Sequence, residues 1–171
     1  VTDLDSALAA NRSAVDELIL AAESAHAHWT TPRAPGKWSP QQVVEHVARA
    51  LEEGANVVAG RPSKLPTLPA LLRPLARFFF RRVLRTGTFP KARASKEMDP
   101  ALAGLAGPAS PAEARARLDR GLAAFERACR ERAASGGDVP SLAFGRVPVA
   151  EYARFTALHT RHHAKQIPVV F

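Results

Sequence analysis

The chain has 171 residues, of which 46% are apolar and 23% charged, with a net charge of +8. That length suits one domain with a single core, and that composition excludes a disordered chain. The single cysteine, Cys129, excludes an internal disulfide and reads as a small buried residue beside Phe125 and Ala128.

No run of roughly 18 or more uncharged apolar residues occurs, so no membrane-spanning helix is expected. The segment Val1-Thr2-Asp3-Leu4-Asp5 lacks the basic and apolar parts of a secretory signal, and the expected location is cytoplasmic. The positive charge admits anionic partners such as nucleic acid or anionic lipid. A coding bias toward Ala, Arg and Pro is the alternative source of that charge.

In chain order, Asp3 to about His28 reads as a first helix, with Leu4, Leu8, Val15, Leu18, Ile19 and Ala22 at steps of three and four. His26 and His28 fall at its end and read as surface residues. Two prolines and a glycine make 30–37 a loop. The second helix has the clearest start: Ser39 as N-cap, Pro40 at the first position and Gln42 at the third, a capping box. Val43, Val44, Val47, Ala50 and Leu51 form its stripe, and Gly60 ends it.

Residues 61–109 form a Pro-rich connection too long for plain loop. Within it, Leu71 to Leu84 predicts one or two short helices interrupted at Pro74, with Phe78, Phe79 and Phe80 packing onto the domain. From Arg61 to Lys96 there are ten Lys or Arg residues and no Asp or Glu. Arg73, Arg77, Arg81 and Arg85 recur every fourth residue and align on one stripe of a helix. Two readings stay open: a segment that lies on an anionic membrane surface or covers an anionic ligand, and a solvated face of a crossover whose aromatics fill the bundle. Residues 101–109 read as exposed.

Ser110, Pro111 and Glu113 repeat the capping pattern and open a third long helix with the stripe Leu118, Leu122, Phe125 and Cys129. A short extended piece is expected over Leu142 to Val147. Pro148 opens a last helix that runs to about Ile167, before Pro168. The expected architecture is all-α, four long helices with a partly helical crossover that lets the second and third run parallel.

The last helix carries the chemistry. His159 and His163 are one turn apart and project from one face, where two imidazoles can grip one ion. His159 and His162 are an alternative pair, and spacing does not choose between them. His46, within the apolar stripe of the second helix, reads on its own as a satisfied core histidine more readily than as a ligand. Gln166 and Glu45 are candidates to orient ligand rings by position, although Glu45 points about 100° from His46 and reads as an exposed charge. Trp38 reads as the hydrophobic staple of Val43 or Val44 rather than a substrate-stacking ring.

Two pieces of the chain carry a resemblance. They are Lys37-Trp38-Ser39-Pro40-Gln41-Gln42-Val43-Val44-Glu45-His46-Val47 and His159-Thr160-Arg161-His162-His163-Ala164-Lys165-Gln166-Ile167, with Phe144-Gly145 before the last helix. They resemble the DinB/YfiT-like superfamily in the order of four helices and at both ends of the chain. The resemblance does not extend to 61–109, and Pro140-Ser141-Leu142-Ala143 stands where members often have His-Pro. It implies a four-helix bundle of up-down-down-up topology and a divalent metal on His46, His159 and His163, favouring His163 over His162. Zinc, nickel, iron and cobalt all suit three nitrogen ligands.

The resemblance further implies a metal-dependent bacterial enzyme acting on a small molecule, with transfer of a low-molecular-weight thiol such as bacillithiol or mycothiol as the activity expected first. A metal-assisted hydrolase and a non-catalytic metal-binding stress-response protein are the alternatives, and a homodimer is left open.

Overall fold

The computed structural model describes residues 3–91 and 93–167. Five helices carry the chain: α1 (Leu4–Ser24), α2 (Pro40–Ala59), α3 (Arg73–Thr86), α4 (Pro111–Ala134) and α5 (Val149–Ala164). A two-stranded hairpin, β1 (Val139–Ser141) and β2 (Gly145–Val147), joins α4 to α5. The all-α bundle expected from the sequence is the observed one.

Local chemistry sets the helix ends. Asp3 caps α1 by accepting the Ser6 N–H at 3.1 Å. The helix stops at Ser24, and a single 3-10 turn over His26–His28 follows, with both histidines exposed. At α2 the full capping box forms: Ser39 Oγ accepts from Gln42 N at 3.3 Å, and Ser39 N donates to Gln42 Oε1 at 3.0 Å. Such a cap is worth about 1 kcal/mol. Gly60 ends α2 in the left-handed region, at φ 74°.

The α4 box is only half made. Ser110 Oγ accepts from Glu113 N, but the Glu113 carboxylate takes the Ala109 N–H instead of the cap's own. This goes with a more extended Ser110 backbone, φ −146° against −70° at Ser39.

The long helices pair α2 with α4 and α1 with α5. Contacts fix the directions. Glu45, Ala48 and Val58 of α2 meet Arg117, Gly121 and Arg132 of α4 in the same order, so these two run parallel. Asn11 and Glu17 of α1 meet Ala153 and Arg161 of α5, also in order. Asp5, Arg12 and Glu23 of α1 meet Arg130, Glu126 and Arg115 of α4 in reverse. The result is up-down-down-up. Gly121 permits the close α2–α4 approach, since a Cβ there would stand 3.1 Å from the Ala48 carbonyl oxygen. Leu8, Leu18, Ile19, Val43, Val44, Val47, Leu51, Leu118 and Phe125 fill the space between the helices.

Four expectations need correction. Pro74 does not interrupt a helix; it lies in the first turn of α3, where its missing N–H costs nothing. Of the three phenylalanines only Phe80 packs inward, stacked 5.0 Å from Phe155 and tilted at 4.9 Å from Phe144, while Phe78 and Phe79 face solvent. Successive residues on a helix point 100° apart, so three in a row cannot share one face. The extended piece is a hairpin whose turn is Leu142–Phe144, with Gly145 at φ 76°. Finally, α5 ends at Ala164 and continues as turns to Ile167; Pro168 lies outside the described residues.

Residues 101–109 are mostly exposed, as expected, but the buried Pro108 is an anchor. Its carbonyl accepts from Trp29 Nε1 at 2.9 Å and Gln41 Nε2 at 3.0 Å.

Candidate metal centre

The apolar stripe of α2 turns His46 inward, and the α1–α5 pairing turns one face of α5 toward it. His46 and His163 are buried and His159 is half-buried. His159 Nε2 lies 3.1 Å from His163 Nε2 and 3.4 Å from His46 Nε2. One ring nitrogen from each of the three lies within 4.8 Å of the others. Nitrogens bound to a common ion at about 2.0–2.1 Å in tetrahedral array stand roughly 3.3 Å apart. The two measured separations fit that polyhedron edge, so the three residues could hold a metal ion.

Hydrogen bonds set the tautomers. His46 Nδ1 donates to the Met98 carbonyl at 2.7 Å, and a carbonyl can only accept, so Nε2 of the neutral ring is left as a bare lone pair. His163 Nδ1 donates to Gln166 Oε1 at 3.1 Å with the same consequence. Gln166 is held in that sense because its Nε2 donates to His162 Nε2 at 3.2 Å. Two lone pairs therefore aim at the third histidine, an arrangement a cation stabilises.

Burial, and next the nearness of His46, push the His163 pKa down to about 3. Burial, then His163 and His46, drive His159 well below the ordinary imidazole range. Burial lowers His46 too, with the Met98 hydrogen bond opposing. All three rings are neutral at pH 7, the form that ligates.

The structure brings His163, rather than His162, to His159 and His46. His162 sits at the rim, half-buried, under the ring of Phe89 at 5.2 Å. Gln166 orients the His163 ring, as its position suggested. Glu45 does not, and it is not exposed. It is buried against Arg117 of α4, whose guanidinium spans both Glu45 and Glu52. The parallel α2–α4 pairing brings that arginine across.

Trp38 packs on the core and against the histidines. Its ring lies 4.7 Å from His46 and stacks at 5.8 Å on His163, and Nε1 donates to Asp99 Oδ1 at 3.1 Å.

Sequence reasoning missed the crossover's part. Glu97, Met98 and Asp99 accept, in succession, from Arg49, His46 and Trp38. Phe89 closes another side, 5.7 Å from His159 and 5.2 Å from Phe155. The one available signal was a lone methionine followed by Asp-Pro, a buried anchor and a turn in an otherwise polar stretch. Cys129 lies apart in the core, its thiol pushed up to about 12 mainly by burial and so not a nucleophile.

A search of curated proteins and a search of solved structures returned no match. The family model described as the DinB superfamily matches residues 4–167, nearly the whole chain and including the crossover. The chain belongs to the DinB superfamily.

Proposed function

We propose that this chain is a metal-dependent enzyme. His46, His159 and His163 would hold one divalent ion, and the site would receive a low-molecular-weight thiol for transfer to an electrophile. The observation that carries this reading is the convergence of three Nε2 atoms, two of them deprotonated by fixed Nδ1–H donors. When bound, the ion would supply the Lewis acidity that holds a thiol in its deprotonated, nucleophilic form near neutral pH.

The chain's own residues prepare for that. Three neutral imidazoles leave an ion's charge uncancelled, and three protein ligands leave coordination positions for a substrate. Met98 and Gln166 hold the ligand rings in orientation. Trp38 and Phe89 present aromatic surface around the ligands, which favours an organic electrophile over bulk water. Zinc, nickel, iron or cobalt would satisfy this donor set.

The test is consumption of a small thiol with a model electrophile, by metal-loaded and by chelator-treated protein. Consumption that follows metal content supports the reading. Ester cleavage without thiol consumption supports a hydrolase instead, and bound metal with neither activity supports a binding protein.

A further inference from the structure

We propose that α3 and the turn before it form a docking face for an anionic lipid surface. α3 carries two apolar faces where one is enough to hold it. Ala76, Phe80 and Val83 are buried against the bundle. Leu71, Leu72, Leu75, Phe78 and Phe79 form a second face that stands in water, with Leu71 88% and Phe78 59% exposed. Scattered apolar side chains on a surface are ordinary, but five between 71 and 79, on the start of α3 and the turn before it, mark a contact surface.

The charge beside that face has one sign. Arg77, Arg81 and Arg85 run along its flank one turn apart, and Arg82 joins its C-terminal end. Among the described residues none of these arginines is in a salt bridge. An open cleft between α3 and α5, lined by Arg81, Leu84, Arg85, Glu151 and Arg154, extends the basic flank, with Glu151 its one carboxylate. Residues 61–96 hold ten of the chain's 24 basic side chains and none of its 16 acidic ones. The rest of the chain has 14 basic against 16 acidic, so the whole positive excess sits in this segment.

These two features together choose the occupant. A second copy of the chain, meeting this face across a two-fold axis, would set the same arginines against each other. Nucleic acid would satisfy the arginines and offer no apolar bed for the leucines and phenylalanines. An anionic bilayer answers both: apolar side chains enter the boundary between headgroups and acyl chains while arginines meet lipid phosphates. No helix among the described residues is long and apolar enough to cross a membrane, so the contact lies on the surface. Gly87 ends α3 and Phe89 then covers His159 and His162, which places the docked face beside the candidate metal centre.

The experiment is flotation of the full chain with phosphatidylglycerol/phosphatidylcholine vesicles and with pure phosphatidylcholine vesicles, at low and high salt. The proposal expects at least about tenfold tighter binding to the anionic vesicles and loss of most of it at high salt. Phe78→Ser/Phe79→Ser and Arg81→Glu/Arg85→Glu should each weaken it about tenfold while keeping the wild-type melting temperature. Equal binding to both vesicles, binding to neither, or binding that both variants leave unchanged overturns it. So does a solution dimer that Phe78→Ser/Phe79→Ser converts to monomer, or tighter binding to nucleic acid than to anionic vesicles.

Discussion

The helices that carry the histidines and the crossover between α2 and α4 serve the same site by different physics. α2 and α5 contribute side chains whose direction follows from helix period and from packing of their apolar faces. The crossover contributes backbone carbonyls and rings: the Met98 oxygen on His46 Nδ1, Asp99 on Trp38, and Phe89 over His159. The first kind of contribution needs residues of one chemical type at fixed spacing. The second needs only a chain path, because every residue has a carbonyl. The His159/His163 pair and Gln166 beside it could therefore be read from helix spacing, while the crossover groups that orient His46 and Trp38 could not.

The largest effect expected from breaking this arrangement lies on the helix side. Arg117→Ala would leave Glu45 buried and unpaired next to His46, at a cost of about 3 kcal/mol measured by chemical denaturation. An unchanged midpoint would mean that Glu45 turns out to solvent instead.

On the crossover side, Asp99→Ala frees Trp38 Nε1, and Gln166→Ala is its counterpart on the helix side. Each should weaken metal affinity about 10–100-fold, by competition with a chelating dye, with little change in melting temperature. If Asp99→Ala binds metal as wild type does while Gln166→Ala does not, the Asp99–Trp38 contact is packing alone.

A smaller effect reports on the core that both regions rest on. The Cys129 thiol is raised to about 12 by burial, and Tyr152 is raised too, again mainly by burial. Groups raised in the folded state are fully protonated in both states below their unfolded values and ionise first in the unfolded chain. Stability should then be intact below about pH 8.5 and fall as pH rises toward 12. Melting temperatures against pH check this, and Cys129→Ala should flatten the decline. The smallest change is expected at α3: Phe78→Ser should shift stability by no more than about 0.5 kcal/mol, since the side chain touches solvent rather than core. A larger loss would return Phe78 to the bundle.

How much the sequence disclosed follows the same division. Ser39-Pro40 and Ser110-Pro111 announced two helix starts because a cap is a bond between neighbours. The His159/His163 spacing announced a pair but left His162 open, since either spacing returns to a similar face. Nothing local in α2 could show that His46 meets a histidine 113 positions on; the family resemblance carried that residue. Glu45 looked exposed because its partner Arg117 is 72 residues away, and a long-range ion pair leaves no periodic trace. The phenylalanine triplet could not reveal which ring faces inward until Phe144 and Phe155 were in place to receive Phe80.

Three histidines sharing one ion are the central claim, and elemental analysis of purified protein tests it most directly. Wild type and His162→Ala should each carry close to one equivalent of metal, and His46→Ala, His159→Ala and His163→Ala should each lose most of it. Full metal in both His46→Ala and His163→Ala, or metal lost in His162→Ala and kept in His163→Ala, would contradict it.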